Sequence, residues 1–531
     1  MASYLALAKK HRNAGALGCI LPAEVLTTVF LFASMLPDWK PTKLDGTIDA
    51  GWTNVAHVCS LWRKVALNAA VLWREIPCFG LAPKAALPYL LRSKGLSLTL
   101  TFIAPPLPEF PLSSQEKVVA HDMSTWLCPP ISRRVRRLSV QERGYHFNKR
   151  SWSSMLEQTM PNLEEVCLDL MYPPRLPSPL EPIILSNKAL ASSRPAKLHD
   201  LRLKNISFCI TSPIWLANLK TLSLAFSSTP NTSTLPSVAQ FRELLSRFTG
   251  LNMLVLENMF PNIDGGDQGL DALELPASLT TVKFVADSQS SSLCLAFVLG
   301  VELPAHAACY ISIDGKNVEQ SALLRAVTHL QPKDRPVQST YLGAHCVRIK
   351  HDSEWFSAYE IVQKREEKNE GTRYFSYGAY TDQSNPARVR ALAPLMNWSN
   401  TDSLALTSKV TSAFTSVADW HTLLSSATAV TKFSLSYNSA AFHILCALAD
   451  TDEEGRHPVL LPKLWGLALY RDPSCDPADH TCLHLALTEL LQSRKLCQKP
   501  IDTLYIMGDH ITEEEEARLR ELVTVKRMGT K

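Results

Sequence analysis

A six-residue pattern that recurs along most of the chain constrains its fold more than any other feature. The pattern is an apolar residue, two variable residues, an apolar residue, one variable residue and a last apolar residue. Its copies span 135–140, 163–168, 198–203, 219–224, 251–256, 279–284, 430–435, 464–469 and 501–506. The alternation in its second half is the periodicity of a β-strand with one buried face, so each copy predicts a strand.

Helical stretches lie between several copies, with large apolar residues on one side at Ser237–Thr249 and Cys482–Leu496. A strand, a loop, a helix and a further strand make up a leucine-rich-repeat unit, and this chain resembles such repeats. The resemblance implies a curved solenoid with a parallel sheet on its concave side. Copies start 21 to 37 residues apart among clear neighbours, and the asparagine or cysteine ladder of regular repeats is missing. Ordinary alternating α/β architecture therefore remains an alternative.

The pattern is interrupted between 291 and 400. This stretch holds strand candidates at Tyr310–Ile313 and Cys346–Lys350 and a charged run at Lys364–Lys368. We interpret it as an insertion or as several degenerate repeats.

Composition excludes several classes of function. Apolar residues make up 46% and charged residues 20% of 531 residues, which is typical of a folded chain rather than a disordered one. The net charge of +4 predicts no nucleic-acid partner. The apolar run from Gly15 to Leu36 contains Pro22 and Glu24, which argues against a membrane span. Thirteen scattered cysteines without a C-x2-C pair predict no zinc site and a reducing compartment, cytoplasmic or nuclear or both.

The first eighty residues differ from the rest of the chain. Pro22 suits the first turn of a helix, after which Leu21, Val25, Leu26, Val29 and Phe30 share one apolar face. A loop follows, and a second helical period runs from Trp52 to Leu67 before the closing segment Leu72–Pro77. So small a unit cannot hide this much aromatic and aliphatic surface by itself, which indicates a partner site.

These blocks resemble the F-box, and more closely the F-box-like domain abundant in fungal proteins. The matching positions are Leu-Pro-x-Glu-Val-Leu-x-x-Val-Phe at 21–30, Val-Cys-x-x-Trp-Arg-x-Val-Ala at 58–66 and Leu-Trp-x-x-Ile at 72–76; the loop at Met35–Gly51 is longer than in many F-boxes. The resemblance implies docking on a Skp-family adaptor and, through it, on a cullin and a RING subunit. The residues it implies in that contact or its immediate support are Leu21, Pro22, Val25, Leu26, Val29, Phe30, Val58, Cys59, Trp62, Leu72 and Trp73. For Val25 and Val29, the sequence is equally consistent with a position in the core of the module and with a position in the adaptor contact.

Target recognition would belong to the repeats. Residues between the apolar positions of each strand face solvent on the sheet, and the candidates for binding a target protein are Arg202, Lys204, Glu257, Lys283 and Tyr470. Each of them is equally consistent with a solvated polar position.

No motif indicates catalysis or a cofactor. G-x-S-x-G, G-x-x-x-x-G-K-S/T and H-E-x-x-H are absent from the sequence. Asp450–Gly455 opens like a calcium loop, but Leu461 stands where a bidentate glutamate is required. The basic cluster Arg133–Arg137 suits a solvated strand edge, with a nuclear address or a phosphate contact as alternatives.

The sequence thus predicts an α+β chain, with a small three-helix F-box followed by an irregular α/β leucine-rich-repeat-like solenoid. The expected segments are a basic lead-in at 1–20, an F-box-like domain at 21–80, repeats at 81–290, an irregular part at 291–400, repeats at 401–510 and a charged helix or tail at 511–531. We expect a substrate receptor of an SCF-type ubiquitin ligase and not an enzyme. A non-ligase interaction scaffold and a hydrolase within 290–400 are the alternatives.

Overall fold

A computed structural model of the chain describes two compact units, Met1–Asn252 and Met253–Lys531. The residues it describes are 4, 15–36, 39, 42–44, 47–49, 51–78, 83–103, 126–143, 156–171, 183–185, 197–208, 218–227, 235–262, 273–304, 306–314, 319, 321–322, 325–326, 329, 339–348, 355–364, 373–380, 401–406, 408–471, 480–508 and 511–528. The basic residues Lys9–Arg12 of the lead-in lie outside these ranges.

The first unit begins with helices. They are α1 (Leu17–Ile20), α2 (Ala23–Met35), a 3-10 helix (Gly51–His57), α3 (Ser60–Asn68), a 3-10 helix (Ala70–Trp73) and α4 (Pro83–Arg92), with a short antiparallel pair, β1 (Thr42–Leu44) and β2 (Thr47–Asp49), in the long loop. The prediction of one helical period from Trp52 to Leu67 was wrong. Cys59 has an extended backbone, with φ −154°, and its thiol accepts the Trp62 N–H as the N-cap of α3. That cap ends one helix and starts the next.

Parallel strands follow in the first unit. In sheet order they are β3 (Glu75–Pro77), β4 (Leu98–Ile103), β5 (Val135–Arg143), β6 (Glu165–Met171), β8 (Asp200–Lys204) and β10 (Thr221–Ala225). A smaller parallel pair is formed by β7 (Ile183–Leu185) and β9 (Ile206–Phe208), and the remaining helices are α5 (Pro129–Ser132) and α6 (Val238–Ser246). Strand β3 lies inside the segment that resembles the F-box, so this sheet starts there.

The second unit contains a longer sheet. Its strands are, in sheet order, β11 (Met253–Glu257), β13 (Thr281–Ala286), β15 (Ala308–Asp314), β18 (Arg373–Tyr380), β17 (Trp355–Lys364), β16 (Ser339–Arg348), β19 (Ser403–Leu406), β20 (Lys432–Tyr437), β21 (Gly466–Arg471), β22 (Thr503–Met507) and β23 (Thr524–Met528). Only the pairings of β17 with its two neighbours are antiparallel within this described sheet. A separate parallel pair is formed by β12 (Leu273–Glu274) and β14 (Val301–Glu302).

Helices accompany the strands of the second unit. They are α7 (Ser291–Leu299), α8 (Ser408–Ala413), α9 (Val417–Leu424), α10 (Ala441–Ala449), α11 (His480–Leu496) and α12 (Glu513–Arg520). Ser237 caps α6 and Thr512 caps α12 through a reciprocal hydroxyl–glutamine or hydroxyl–glutamate capping box, which satisfies N–H groups that a helix start leaves unpaired.

All nine copies of the recurrent pattern lie at strands. The first apolar residue of each copy is buried at or just before the strand, and the next two point inward from it, as at Leu163, Val166 and Leu168. In-register pairing stacks the inward residues of neighbouring strands, as at Leu138, Val166 and Leu201. This stacking confirms a mixed α/β chain with parallel sheet.

The interrupted stretch is now partly described. Its strand candidates correspond to β15 and β16, while Ile349, Lys350 and the charged residues 365–368 lie outside the described residues. Within the part of the chain that the structure describes, no helix combines the length and the apolar character that crossing a bilayer requires.

Candidate functional site

Helix α2 carries two apolar stripes rather than one. Leu26 and Phe30 are buried, whereas Val25, Val29 and Phe32 expose 43%, 46% and 67% of their surface. At about 100° per residue, the centre of the buried pair lies about a third of a turn around the helix from the centre of the three exposed residues. We call the exposed set, Leu21, Val25, Val29, Phe32 and Leu36, the α2 stripe.

The start of α2 differs slightly from the sequence prediction. Pro22 occupies the N-cap rather than the first helical turn, and its carbonyl accepts the Leu26 N–H at 3.0 Å. The proline thus places Leu21 ahead of the helix, where it is exposed.

Aromatic packing supports the helix from behind. The rings of Phe30 and Trp62 lie 5.1 Å apart, and the Trp62 indole N–H donates to the Gly18 carbonyl at 2.7 Å. This bond holds α1 against α3. Because α1 covers Trp62, that residue is only partly accessible.

A second aromatic group lies deeper. Trp73 packs edge-on against Trp52 and Tyr89 at 5.1 and 4.9 Å, and its indole N–H donates to the Ala66 carbonyl at 2.8 Å. Burial raises the pKa of Tyr89 to about 12, so its hydroxyl stays protonated at neutral pH. These contacts tie the helices to α4, and so to the start of the first sheet.

The eleven residues implied by the resemblance therefore separate into three sets. Leu26, Phe30, Leu72 and Trp73 are buried and act as support. Cys59 and Trp62 are partly buried. Leu21, Pro22, Val25, Val29 and Val58 are exposed and available for contact.

The sequence reasoning missed the second half of the α2 stripe. Phe32 and Leu36 continue the spacing of Val25 and Val29 along the helix, so the same periodicity already contained the signal. Ile20, just before the helix, is exposed as well.

The target candidates Arg202, Lys204, Glu257 and Lys283 lie between buried neighbours, and Tyr470 follows the buried Leu469. Arg202 and Lys204 belong to β8, and the Arg202 guanidinium binds both carboxylate oxygens of Asp200 at 2.9 and 2.8 Å. Glu257 and Lys283 lie on the adjacent strands β11 and β13, but in neighbouring rows. Tyr470 lies on β21, next to Met507 of β22. The three candidates of the second unit, Glu257, Lys283 and Tyr470, do not form one cluster.

The sequence shows no regular asparagine ladder, and two buried asparagines were therefore missed. Asn205 and Asn258 follow β8 and β11 with φ of 58° and 53°, a left-handed conformation that asparagine tolerates. The Asn205 amide donates to the Leu170 carbonyl and to the Ser227 hydroxyl, and its oxygen accepts the Ser227 N–H at 2.7 Å. Asn205 therefore bridges the preceding and following repeats. In the same way, Asn258 accepts the Asp287 N–H at 2.7 Å.

The basic cluster is largely engaged in internal contacts. Arg136 and Arg137 pair with Glu164 and Glu165 of the next repeat, each at 2.6 Å, and Arg134 donates to the Leu96 carbonyl at 2.8 Å. These arginines join neighbouring strands, which agrees with a strand edge.

Burial raises the pKa of the Cys167, Cys294 and Cys446 thiols, and a protonated thiol is a poor nucleophile. Among the described residues, no group of three or more histidine, cysteine, aspartate or glutamate side chains is placed to hold a metal ion. In the calcium-like loop, Asp452 instead accepts the Arg456 and His457 N–H groups.

Comparison with known proteins yields similarity to solved structures. No protein-family profile matches the chain, and no curated protein matches it. Among solved structures, the leucine-rich repeat-containing protein LegL7 from Legionella pneumophila is similar, with 13% identity and a TM-score of 0.26 over 74% of this chain and 90% of that one.

Proposed function

We propose that the chain is the substrate-recognition subunit of an SCF-type ubiquitin ligase. In this proposal the helices before β3 bind a Skp-family adaptor, and through it a cullin and a RING subunit. The repeat sheets bind a target protein. The observation that carries the proposal is the α2 stripe, which exposes aliphatic and aromatic side chains within the segment that resembles the F-box.

Physical reasoning supports a partner at this stripe. An exposed row of apolar residues at helical spacing is the arrangement by which a helix enters a groove of another protein. The buried aromatic groups around Trp62 and Trp73 fix the orientation of α2 before binding, which lowers the entropy that the contact must offset.

The chain would supply proximity rather than bond-making groups. Holding a target near a ubiquitin-charged enzyme turns an encounter between two molecules into a reaction within one complex. We therefore propose that it is not itself an enzyme and that it acts in the cytoplasm, the nucleus or both.

A purified Skp-family adaptor and the full chain test this proposal by co-purification and by calorimetric titration. The variant Val25→Glu with Val29→Glu places charge on the α2 stripe without touching Leu26 or Phe30. Each buried valine contributes about 1.5 kcal/mol or more to such a contact, so affinity is expected to fall at least tenfold. The control is Leu485→Glu with Leu496→Glu, two exposed leucines of α11. Unchanged adaptor binding by the α2 variant refutes the assignment.

A second candidate is an interaction scaffold outside any ligase. Its support is that β3 pairs with β4 and that Trp73 packs on Tyr89, so the helices also serve as the end cap of the first sheet. Under this candidate the adaptor binds neither the native chain nor the variants. Recovery of a cullin with the native chain counts against it.

A further inference from the structure

Four side chains form a continuous strip on the sheet of the second unit. The Lys432 ammonium lies 5.3 Å from the centre of the Trp465 ring, and the Lys526 ammonium lies 5.8 Å from the centre of the Tyr505 ring. Lys432 belongs to β20 and Lys526 to β23, so the strip crosses four strands. We call these four residues the cation–aromatic strip.

A glycine lies in the middle of this strip, beside Lys432 and Tyr505. Gly466 of β21 is in register with Lys432 of β20. A Cβ atom at Gly466 would lie 3.6 Å from Cγ of Lys432 and 3.9 Å from Cε2 of Tyr505. Because the glycine has no side chain of its own, the lysine stem and the tyrosine ring both border the space above its backbone.

The outward face of the described strands β19 to β23 carries positive charge without negative charge. The outward positions of the described strands β19 to β23 hold serine, threonine, glycine, alanine, tyrosine, methionine and two lysines, but no acid. Within the described residues neither Lys432 nor Lys526 has a carboxylate within salt-bridge distance. Asp402 precedes β19 and already accepts the Thr431 hydroxyl at 2.6 Å, whereas Asp502 is exposed just before β22.

Apolar surface lies beside the lysines. Tyr470, Met507 and Met528 occupy the neighbouring row in register on β21, β22 and β23, and Tyr470 and Met528 are exposed. Aromatic and methionine side chains are enriched at the centre of protein interfaces. A partner that complements this face therefore carries negative charge together with apolar side chains.

Strand spacing sets the pattern of that charge. Neighbouring strands lie about 4.8 Å apart, so β20 and β23 are separated by about 14 Å, and Lys526 lies two residues beyond the position of β23 in register with Lys432, which brings the distance between the two lysine backbones to about 16 Å. An extended chain advances about 3.4 Å per residue, so residues i and i+4 span about 14 Å and the long lysine side chains cover the difference. Residues i and i+4 of an extended segment also point to the same side.

We propose that the cation–aromatic strip binds an extended acidic segment of a partner protein, with carboxylates at i and i+4 and an apolar residue at i+2. The carboxylates pair with Lys432 and Lys526, and the apolar residue rests on Tyr505 and Ala468 between them. The inference deepens the proposed function by giving the chemistry of the target, and it rests on that function only for the identity of the partner as a target.

The test uses the full chain without adaptor and a fluorescein-labelled peptide, Ser-Gly-Glu-Ala-Phe-Ala-Glu-Gly-Ser, in fluorescence anisotropy. Binding is expected to weaken about tenfold when both peptide glutamates become glutamine. A similar loss is expected for Lys432→Met with Lys526→Met, and it should shrink as salt is added. Lys432→Arg with Lys526→Arg should retain binding.

Matched controls separate the strip from general charge. Lys495→Met with Lys499→Met removes two exposed lysines at the end of α11 and should leave binding unchanged. The inference is overturned if the acidic peptide does not bind, if the glutamine peptide binds equally well, or if the two lysine pairs respond alike. The peptide assay contains no adaptor, so the two proposals are tested separately. If the peptide binds but the adaptor does not, only the ligase proposal is refuted. If the adaptor binds but the peptide does not, only this inference is refuted.

Discussion

Arg494 offers the sharpest test of how the second unit is held together. It lies in α11 with 1% of its surface exposed, and its guanidinium donates to the carbonyls of Leu448, Leu461 and Leu460 at 3.2, 2.9 and 2.5 Å. The Leu448 carbonyl is in the last turn of α10, where helix carbonyls lack intrahelical partners. Burial lowers the pKa of Arg494 to about 10, so it remains a cation at neutral pH.

Arg494→Met keeps the aliphatic stem of the side chain and removes all three bonds. Hydrogen bonds from a charged donor contribute about 2 kcal/mol each, or about 6 kcal/mol together. The cost of burying the cation offsets part of this, since a pKa that falls from 12.5 to about 10 corresponds to about 3 kcal/mol. The expected net loss of stability is therefore about 3 kcal/mol.

Hydrogen–deuterium exchange with mass spectrometry measures this loss locally. Amides of 441–464 should exchange about a hundredfold faster in the variant, because 1.4 kcal/mol corresponds to a factor of ten. Lys495→Met is the control, since it also replaces a cation with methionine, one residue along the helix at an exposed position. A change below threefold in Arg494→Met would mean that the carbonyls find other partners, and the reasoning would fail.

Two further predictions concern the repeats and the last helix. Asn205→Ala loses buried hydrogen bonds and strains a left-handed backbone, so we expect a cost of about 2–3 kcal/mol and a Tm of the first unit lower by about 4–10 °C in calorimetry. Asn205→Gly, which relieves only the backbone strain, should fall between the alanine variant and the native chain. Hydrogen bonds from Arg527, and then from Arg520, lower the pKa of Glu516 in the folded chain. The ionised carboxylate therefore stabilises the fold fully above the pKa that Glu516 has in the unfolded chain, and this stabilisation is lost as the pH falls through its pKa in the folded chain. The protection of the 511–528 amides, taken relative to the slower intrinsic exchange at low pH, should therefore fall in acid. Glu516→Gln should weaken the contact already at pH 7 and so remove this dependence on pH.

The strands could be predicted because their signal is local. Each copy of the recurrent pattern contains the alternation that one buried face imposes, and the strand follows wherever the pattern occurs. The two stripes of α2 could not be told apart in this way. Val25 and Leu26 are neighbours in sequence and both aliphatic, so periodicity predicts the helix but not which of them is buried.

Asn205 shows a different limit. Its role depends on a left-handed φ and on Leu170 and Ser227, which lie 35 and 22 residues away in the chain. Because the repeats are irregular, no fixed spacing marks these partners in the sequence. The asparagine also follows its strand directly, so a search for a regular ladder passes over it.

Helices α2 and α12 differ in the composition of their exposed sides. Six of the eight residues of α12 are charged, and Arg518 pairs with Glu514 one turn earlier at 2.7 Å, as expected for a helix whose outer face meets water. Helix α2 is also exposed on one side, yet Glu24 is its one charged residue among thirteen. Both helices belong to the same chain and meet the same solvent, so water alone does not account for the difference. The apolar composition of the exposed side of α2 supports the proposal of a partner there, and adaptor binding by Val25→Glu with Val29→Glu is the measurement that tests it.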